Sequence, residues 1–306
     1  MTAKRRKTAK PGCATLALAA LSLCLLAASL SGSAGAFGLG DAGKLFEAGK
    51  SVVKVGKAVG KATEEFTPEQ EYYIGRAVAA SILGSQRPFN DEAANRYLNL
   101  LGQTLADASD RPQTFGGYHF LVLDSPDINA FGCPGGLIMV TRGLLRCCQN
   151  EDQVAAVLAH EIGHVSLQHG LAAIQQSRIL DVAGVLAKEG ASHAGGNVAA
   201  LSGAFSGSVG DITKTLMVNG YSRGQEGEAD AAAAVILERV GYDAKALTQV
   251  LATMAQRYQP GGLDFAKTHP NPQDRIAALT AKLPSAAPAP APPARQARYQ
   301  QALGRI

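Results

Sequence analysis

The stretch from Glu151 to His169, EDQVAAVLAHEIGHVSLQH, constrains this 306-residue chain more than any other. Val154, Val157, Leu158, Ile162 and Val165 recur at helical spacing with few charges among them, so the segment predicts a long helix that other elements must bury. His160 and His164 lie four residues apart and project from one helix face in successive turns. Both can therefore place an imidazole nitrogen about 2.0–2.1 Å from a single Zn2+. Glu161, beside His160, can take the proton of a water held there and turn it into a nucleophile. This H-E-x-x-H pattern, set in an apolar helix, predicts one Zn2+ per chain as cofactor.

A catalytic zinc needs a third protein ligand and an open position. In the metzincin arrangement that ligand would be a His at position 170, but Gly170 stands there, and Leu167 replaces the expected Gly. His169 is one residue off and reads as a helix-end residue. A better donor lies in NGYSRGQEGEADAAAAVILERV, where acidic residues open a strongly helical run. Such acids also suit the helix dipole. Glu226 and Asp230, however, are four apart on one face, so Glu226 can ligate the metal while Asp230 orients a ligating imidazole from behind. Glu228 reads as solvated.

Around these motifs the chain predicts helices over Pro68–Leu83, Asp91–Ala108, Glu151–His169, Gln225–Val240 and Ala244–Arg257. Short β-rich runs at Tyr118–Leu123, Ile128–Cys133 and Leu137–Thr141 are separated by Asp-Ser-Pro-Asp and Pro-Gly-Gly, and read as a small antiparallel sheet. The fold class expected is α+β, mainly helical, with that sheet beside the H-E-x-x-H helix and without the repeated βα alternation of a parallel sheet.

At 46% hydrophobic and 18% charged residues, the proportions are those of a globular domain rather than a disordered chain. The net charge of +4 is concentrated at the start, in Lys4, Arg5, Arg6, Lys7 and Lys10. With those five set aside, 24 of the 29 basic side chains face 25 acidic ones. No basic cluster interleaved with aromatics remains, which argues against a nucleic-acid partner.

The basic start, the apolar run Ala14–Leu30 and the small residues Ala34 and Ala36 read as an export signal over residues 1–36, cleaved after Ala36. An uncleaved anchor is the alternative. Lipidation at Cys24 is disfavoured by the preceding Leu23. Residues 37–65 place Lys44, Lys50, Lys54, Lys57 and Lys61 among apolar side chains, which suits a helix packed on its own domain or one lying peripherally on a membrane. A catalytic domain over 66–283 is followed at 284–306 by a Pro/Ala linker and a basic tail, either mobile or a short docking helix. Cys133, Cys147 and Cys148 leave open one disulfide or three buried thiols.

HEIGH, YSRGQEGEAD and THPNPQDRI, preceded by NAFGCPGGLIMVTRGLL, resemble in order the gluzincin zinc metallopeptidases. That family includes HtpX, the CAAX prenyl proteases and the periplasmic BepA- and LoiP-type peptidases. The likeness spans about Phe66–Leu283 and implies a zincin-like fold and a zinc endopeptidase. It implies His160, His164 and Glu226 as ligands, Glu161 as general base and Asp230 behind the ligands. It further implies that His269 and Arg275 lie near the metal and stabilise an oxyanion. Asn129, Ala130 and Phe131 would border a cleft where a peptide adds as a β-strand. With no long apolar segment after Leu30, the resemblance favours the soluble periplasmic branch. Its substrates would be protein or peptide chains, by analogy misfolded or unassembled envelope proteins. A latent chaperone or adaptor built on the same fold is the alternative.

Overall fold

Four side-chain caps fix where the principal helices begin. Thr67 accepts a hydrogen bond from the Gln70 amide while the Gln70 side chain accepts from that of Thr67, and Pro68 occupies the first turn, which starts α1 (Pro68–Ser85). Asp91 caps α2 (Glu92–Asp107), and Asn150 caps α3 (Glu151–Ser166), the helix carrying H-E-x-x-H. Ser222 and Gln225 form a second capping box at the start of α4 (Arg223–Arg239). The helices α5 (Ala246–Arg257), α6 (Pro272–Lys282) and α7 (Pro293–Leu303) complete the set.

The computed structural model describes residues 65–172, 175, 208–257, 268–269, 272–283 and 290–306. They fall within one unit, Glu65–Ile306. The expected export signal, nearly all of the Lys/Gly-rich segment, most of Gly190–Gly210 and the start of the Pro/Ala tract lie outside the described residues.

Strands β1 (His119–Leu123), β2 (Ala130–Cys133) and β3 (Leu137–Thr141) form one sheet in the order β1-β3-β2. β2 and β3 are antiparallel, as expected, but β1 runs parallel to β3. The sheet is therefore mixed rather than wholly antiparallel. The reason is topological: β3 inserts between two strands that precede it, so the consecutive strands β1 and β2 never pair. The outer edge of β1 is closed by α2. Asn99 accepts from the Phe120 amide and donates to the Phe120 carbonyl, and Asn95 accepts from the Val122 amide.

The larger core packs α2, α3, α4 and α5 against one face of the sheet; a smaller one, holding Val78, Ile82, Phe131 and Leu216, lies on the other face. Every residue of α3 from Glu151 to Val165 is buried, so its polar side chains must be satisfied inside the protein. Cys133, Cys147 and Cys148 are buried and form no disulfide.

Of the two readings of the C-terminal residues, the structure shows the docking helix: α7 packs on α2 and α3. Leu303 enters the larger core, and the Tyr299 hydroxyl donates to the Cys148 carbonyl at 2.6 Å. Arg295 and Arg298 reach Asp152 and Glu151, two buried carboxylates in the first turn of α3.

Candidate active site

The site begins with a close approach of two helices. A methyl group at Gly163 of α3 would stand 2.9 Å from the Ala229 carbonyl oxygen of α4, so only glycine admits this contact. Ala229 lies between Glu226 and Asp230, and the contact carries both carboxylates to the imidazoles of α3. The segment holding Thr268 and His269 and the first turns of α6 cover the same place. His160, Glu161, His164, Glu226, Asp230, His269 and Arg275 are all buried there.

Four ligand atoms converge. His160 Nε2 lies 3.2 Å from His164 Nε2, and His164 Nε2 lies 3.3 Å from Glu226 Oε1. His269 Nδ1 lies 3.3 Å from His160 Nε2 and 3.0 Å from Glu226 Oε1. Four donors about 2.0–2.1 Å from a tetrahedral metal stand roughly 3.3–3.4 Å apart, so this spacing matches such a shell. The chemistry of the set also fits, being three imidazoles and one carboxylate. Both Glu161 oxygens are buried without a hydrogen-bond partner among the described residues, and the nearer approach from His269 Nε2 is 3.8 Å. A carboxylate buried this way is costly unless a water or ion meets it.

Behind these four atoms, His160 Nδ1 is 3.0 Å from Asp230 Oδ1, which leaves Nε2 facing the other donors. Arg275 donates from Nε and Nη2 to Asp230 at 2.9 and 2.6 Å, and Nη1 stands 2.8 Å from Glu226 Oε2. Burial by itself would raise the carboxyl pKa of Glu226; the charges of His269 and Arg275 and hydrogen bonds from His164 and His269 outweigh it and hold it well below the usual range. Asp230 is held low in the same way against its burial, by His160 and Arg275. Burial keeps His164 neutral, the form a metal ligand needs.

A family model described as Peptidase family M48 matches residues 92–283, more than half of the chain and every residue of this site from His160 to Arg275. The chain belongs to peptidase family M48. Among M48 relatives, the Beta-barrel assembly-enhancing protease of Escherichia coli K12 is 31% identical over 217 residues, 68% of this chain and 42% of that protein. The Mitochondrial metalloendopeptidase OMA1 of Schizosaccharomyces pombe is 32% identical over 167 residues, covering 54% of this chain and 46% of that one. Metalloprotease YcaL of Escherichia coli K12 is 31% identical over 137 residues, 45% and 51% of the two chains. This chain thus spans about half or less of the length of each. Membership makes it a metallopeptidase-family protein with a buried His/His/Glu/His group able to hold a metal.

Three arrangements in the M48 site go beyond what the residue pattern indicates. Arg275 pairs with both Glu226 and Asp230. Asn129, Ala130 and Phe131 are buried: Ala130 and Phe131 give their side chains to the two cores, and Asn129 Oδ1 accepts from Thr268 beside His269. The segment Thr215–Asn219 packs over β2, so a peptide could join this edge only after that segment moves. Finally, His169 and Glu228 join the site, His169 meeting His164 and Glu228 meeting His169. Tyr221, just before the α4 cap, stacks on the His164 ring with centroids 4.0 Å apart.

Proposed function

We propose that this chain is an exported zinc endopeptidase that hydrolyses peptide bonds in unfolded or unassembled envelope proteins. The observation carrying the reading is the tetrahedral spacing of His160, His164 and Glu226 beside the unpartnered carboxylate of Glu161. His160, His164 and Glu226 hold one zinc ion. When bound, zinc makes a water nucleophilic near neutral pH and polarises a peptide carbonyl. Glu161 takes the proton of the attacking water and delivers it to the departing amine nitrogen. Asp230 fixes the His160 ring, and Arg275 locks Asp230 and Glu226 in place. His269, once clear of the ligand set, donates to the oxyanion. Asn129 and the backbone of Ala130 and Phe131 border the peptide once Thr215–Asn219 is displaced.

Export is supported by the basic, apolar start of the chain, and no helix among the described residues is long and apolar enough to cross a membrane. The name of the Escherichia coli relative, which refers to β-barrel assembly, supports envelope proteins as the substrate class.

One observation favours a second reading, a latent peptidase acting as a chaperone or adaptor. His269 Nδ1 fills the fourth corner of the donor set, where an active site keeps an open position. Both readings are tested by incubating the zinc-loaded chain with unfolded casein, beside a chelator control and His269→Ala. Chelator-sensitive cleavage by the parent supports the peptidase. Cleavage appearing only in His269→Ala supports latency, and zinc binding without cleavage by either contradicts hydrolysis.

A further inference from the structure

The two zinc-side histidines of α3 are supported differently, and only His160 has a carboxylate behind it. His164 presents Nε2 to the other ligand atoms, so its Nδ1 carries the hydrogen. That Nδ1 lies 2.9 Å from Nδ1 of His169, which must then accept. His169 in turn carries its hydrogen on Nε2, which stands 3.2 Å from Glu228 Oε2. Once His164 ligates through Nε2, every proton in this chain of groups is assigned. His169 is buried and the Glu228 side chain is 67% exposed, so the chain of groups runs from solvent to the ligand.

The backbone is bent to make the contact. On a continuous helix His169 would lie about 140° around the axis from His164 and could not face it. Instead α3 ends at Ser166, and Gln168 adopts φ 57°, a left-handed conformation that a residue with a side chain adopts only at a cost. Gln168 is held by the bond from its Nε2 to Glu71 Oε2, 3.2 Å away. Glu71 is itself buried and paired with Arg111. The strained turn brings the His169 ring back against His164.

We propose that Glu228 and His169 form a relay that positions His164 as a metal ligand, the counterpart of Asp230 behind His160. The proposal rests on the reading of His160, His164 and Glu226 as the zinc site. His169 and Glu228 are positioning residues: they touch neither metal nor substrate.

The test is the zinc affinity of the full chain, measured by competition with a chromophoric chelator, with the unfolding midpoint of each metal-free variant recorded alongside. Losing a hydrogen-bond partner behind a ligand typically weakens metal binding about 10–100-fold, and that loss is expected for His169→Ala. His169→Asn, whose Oδ1 can accept from His164 Nδ1 where the ring nitrogen did, is expected to bind within about threefold of the parent. Glu228→Ala, at a mostly exposed position where folding is not at stake, should weaken zinc about three- to tenfold, and it decides the matter should His169→Ala fail to fold. A parent chain that binds no zinc would sink both the relay and the site reading. Tight zinc binding by the parent with unchanged affinity in His169→Ala and Glu228→Ala overturns the relay alone.

Discussion

Leu303, three residues from the C-terminus, is 5% exposed and belongs to the larger core. Replacing it by Ala removes the apolar surface that α7 buries against α2 and α3. The transfer loss is roughly 2 kcal/mol at about 0.8 kcal/mol per buried methylene. Leu→Ala changes reach about 5 kcal/mol when the cavity persists, but a terminal helix can settle into the gap, which places the cost at about 2–3 kcal/mol. For a unit of this size each kcal/mol moves the thermal midpoint by about 2–4 °C, so a fall of roughly 4–12 °C is expected. Gln301→Ala, at an exposed position of the same helix, should stay within about 0.5 kcal/mol of the parent. Urea unfolding of the metal-free proteins followed by circular dichroism reads the difference. Equal midpoints for Leu303→Ala and Gln301→Ala would refute the docking of α7 and restore a mobile tail.

Other consequences follow from single contacts. Gly163→Ala should push α4 from α3 and weaken zinc binding at least tenfold, read by chelator competition, because its methyl would meet the Ala229 carbonyl at 2.9 Å. Arg275→Met leaves the buried Glu226 and Asp230 without their cation and should cost the metal-free protein about 3–5 kcal/mol. Both carboxyl groups are held below their unfolded values, near 4, so the stability they contribute is present above that pH and lost as pH falls through the lower folded values. In Arg275→Met the folded values rise, and urea midpoints measured from pH 7 downward should begin to fall at a higher pH. Burial pushes the Cys133 and Cys148 thiols up, so at pH 8 iodoacetamide should label them only after denaturation, as mass spectrometry would record.

The helices were legible because their signals are local. Apolar periodicity places α3 and α4 within two residues of where they begin, while the caps Asp91 and Ser222, which that periodicity does not mark, set the observed starts of α2 and α4. The shared face of His160 and His164, and that of Glu226 and Asp230, was legible too, since i, i+4 spacing fixes each before any tertiary contact is known; that the two faces meet depends on the close approach of Gly163 to Ala229. The parallel pairing of β1 with β3 was not, because strand order depends on where a connection crosses and not on the strands themselves. His169 was misplaced for a related reason: helical periodicity sends it away from His164, and only the left-handed Gln168 returns it. The burial of Asn129, Ala130 and Phe131 involves Thr215–Asn219 and Thr268, which no local pattern announces. The choice between a mobile tail and a docking helix stayed open because the partners of Arg295 and Arg298, Asp152 and Glu151, are more than 140 positions away in sequence.

Under the proposed function, Glu161 drives hydrolysis at a zinc held by His160, His164 and Glu226. The most direct test of that role compares the full chain with Glu161→Gln, both loaded with zinc, for bound metal and for cleavage of an unfolded protein; His269→Ala and its Glu161→Gln double variant are run in parallel to expose a latent site. One zinc is expected in every form, with a loss of cleavage of about 10²–10⁴-fold wherever Glu161 is replaced. Equal cleavage with and without Glu161 would contradict that role.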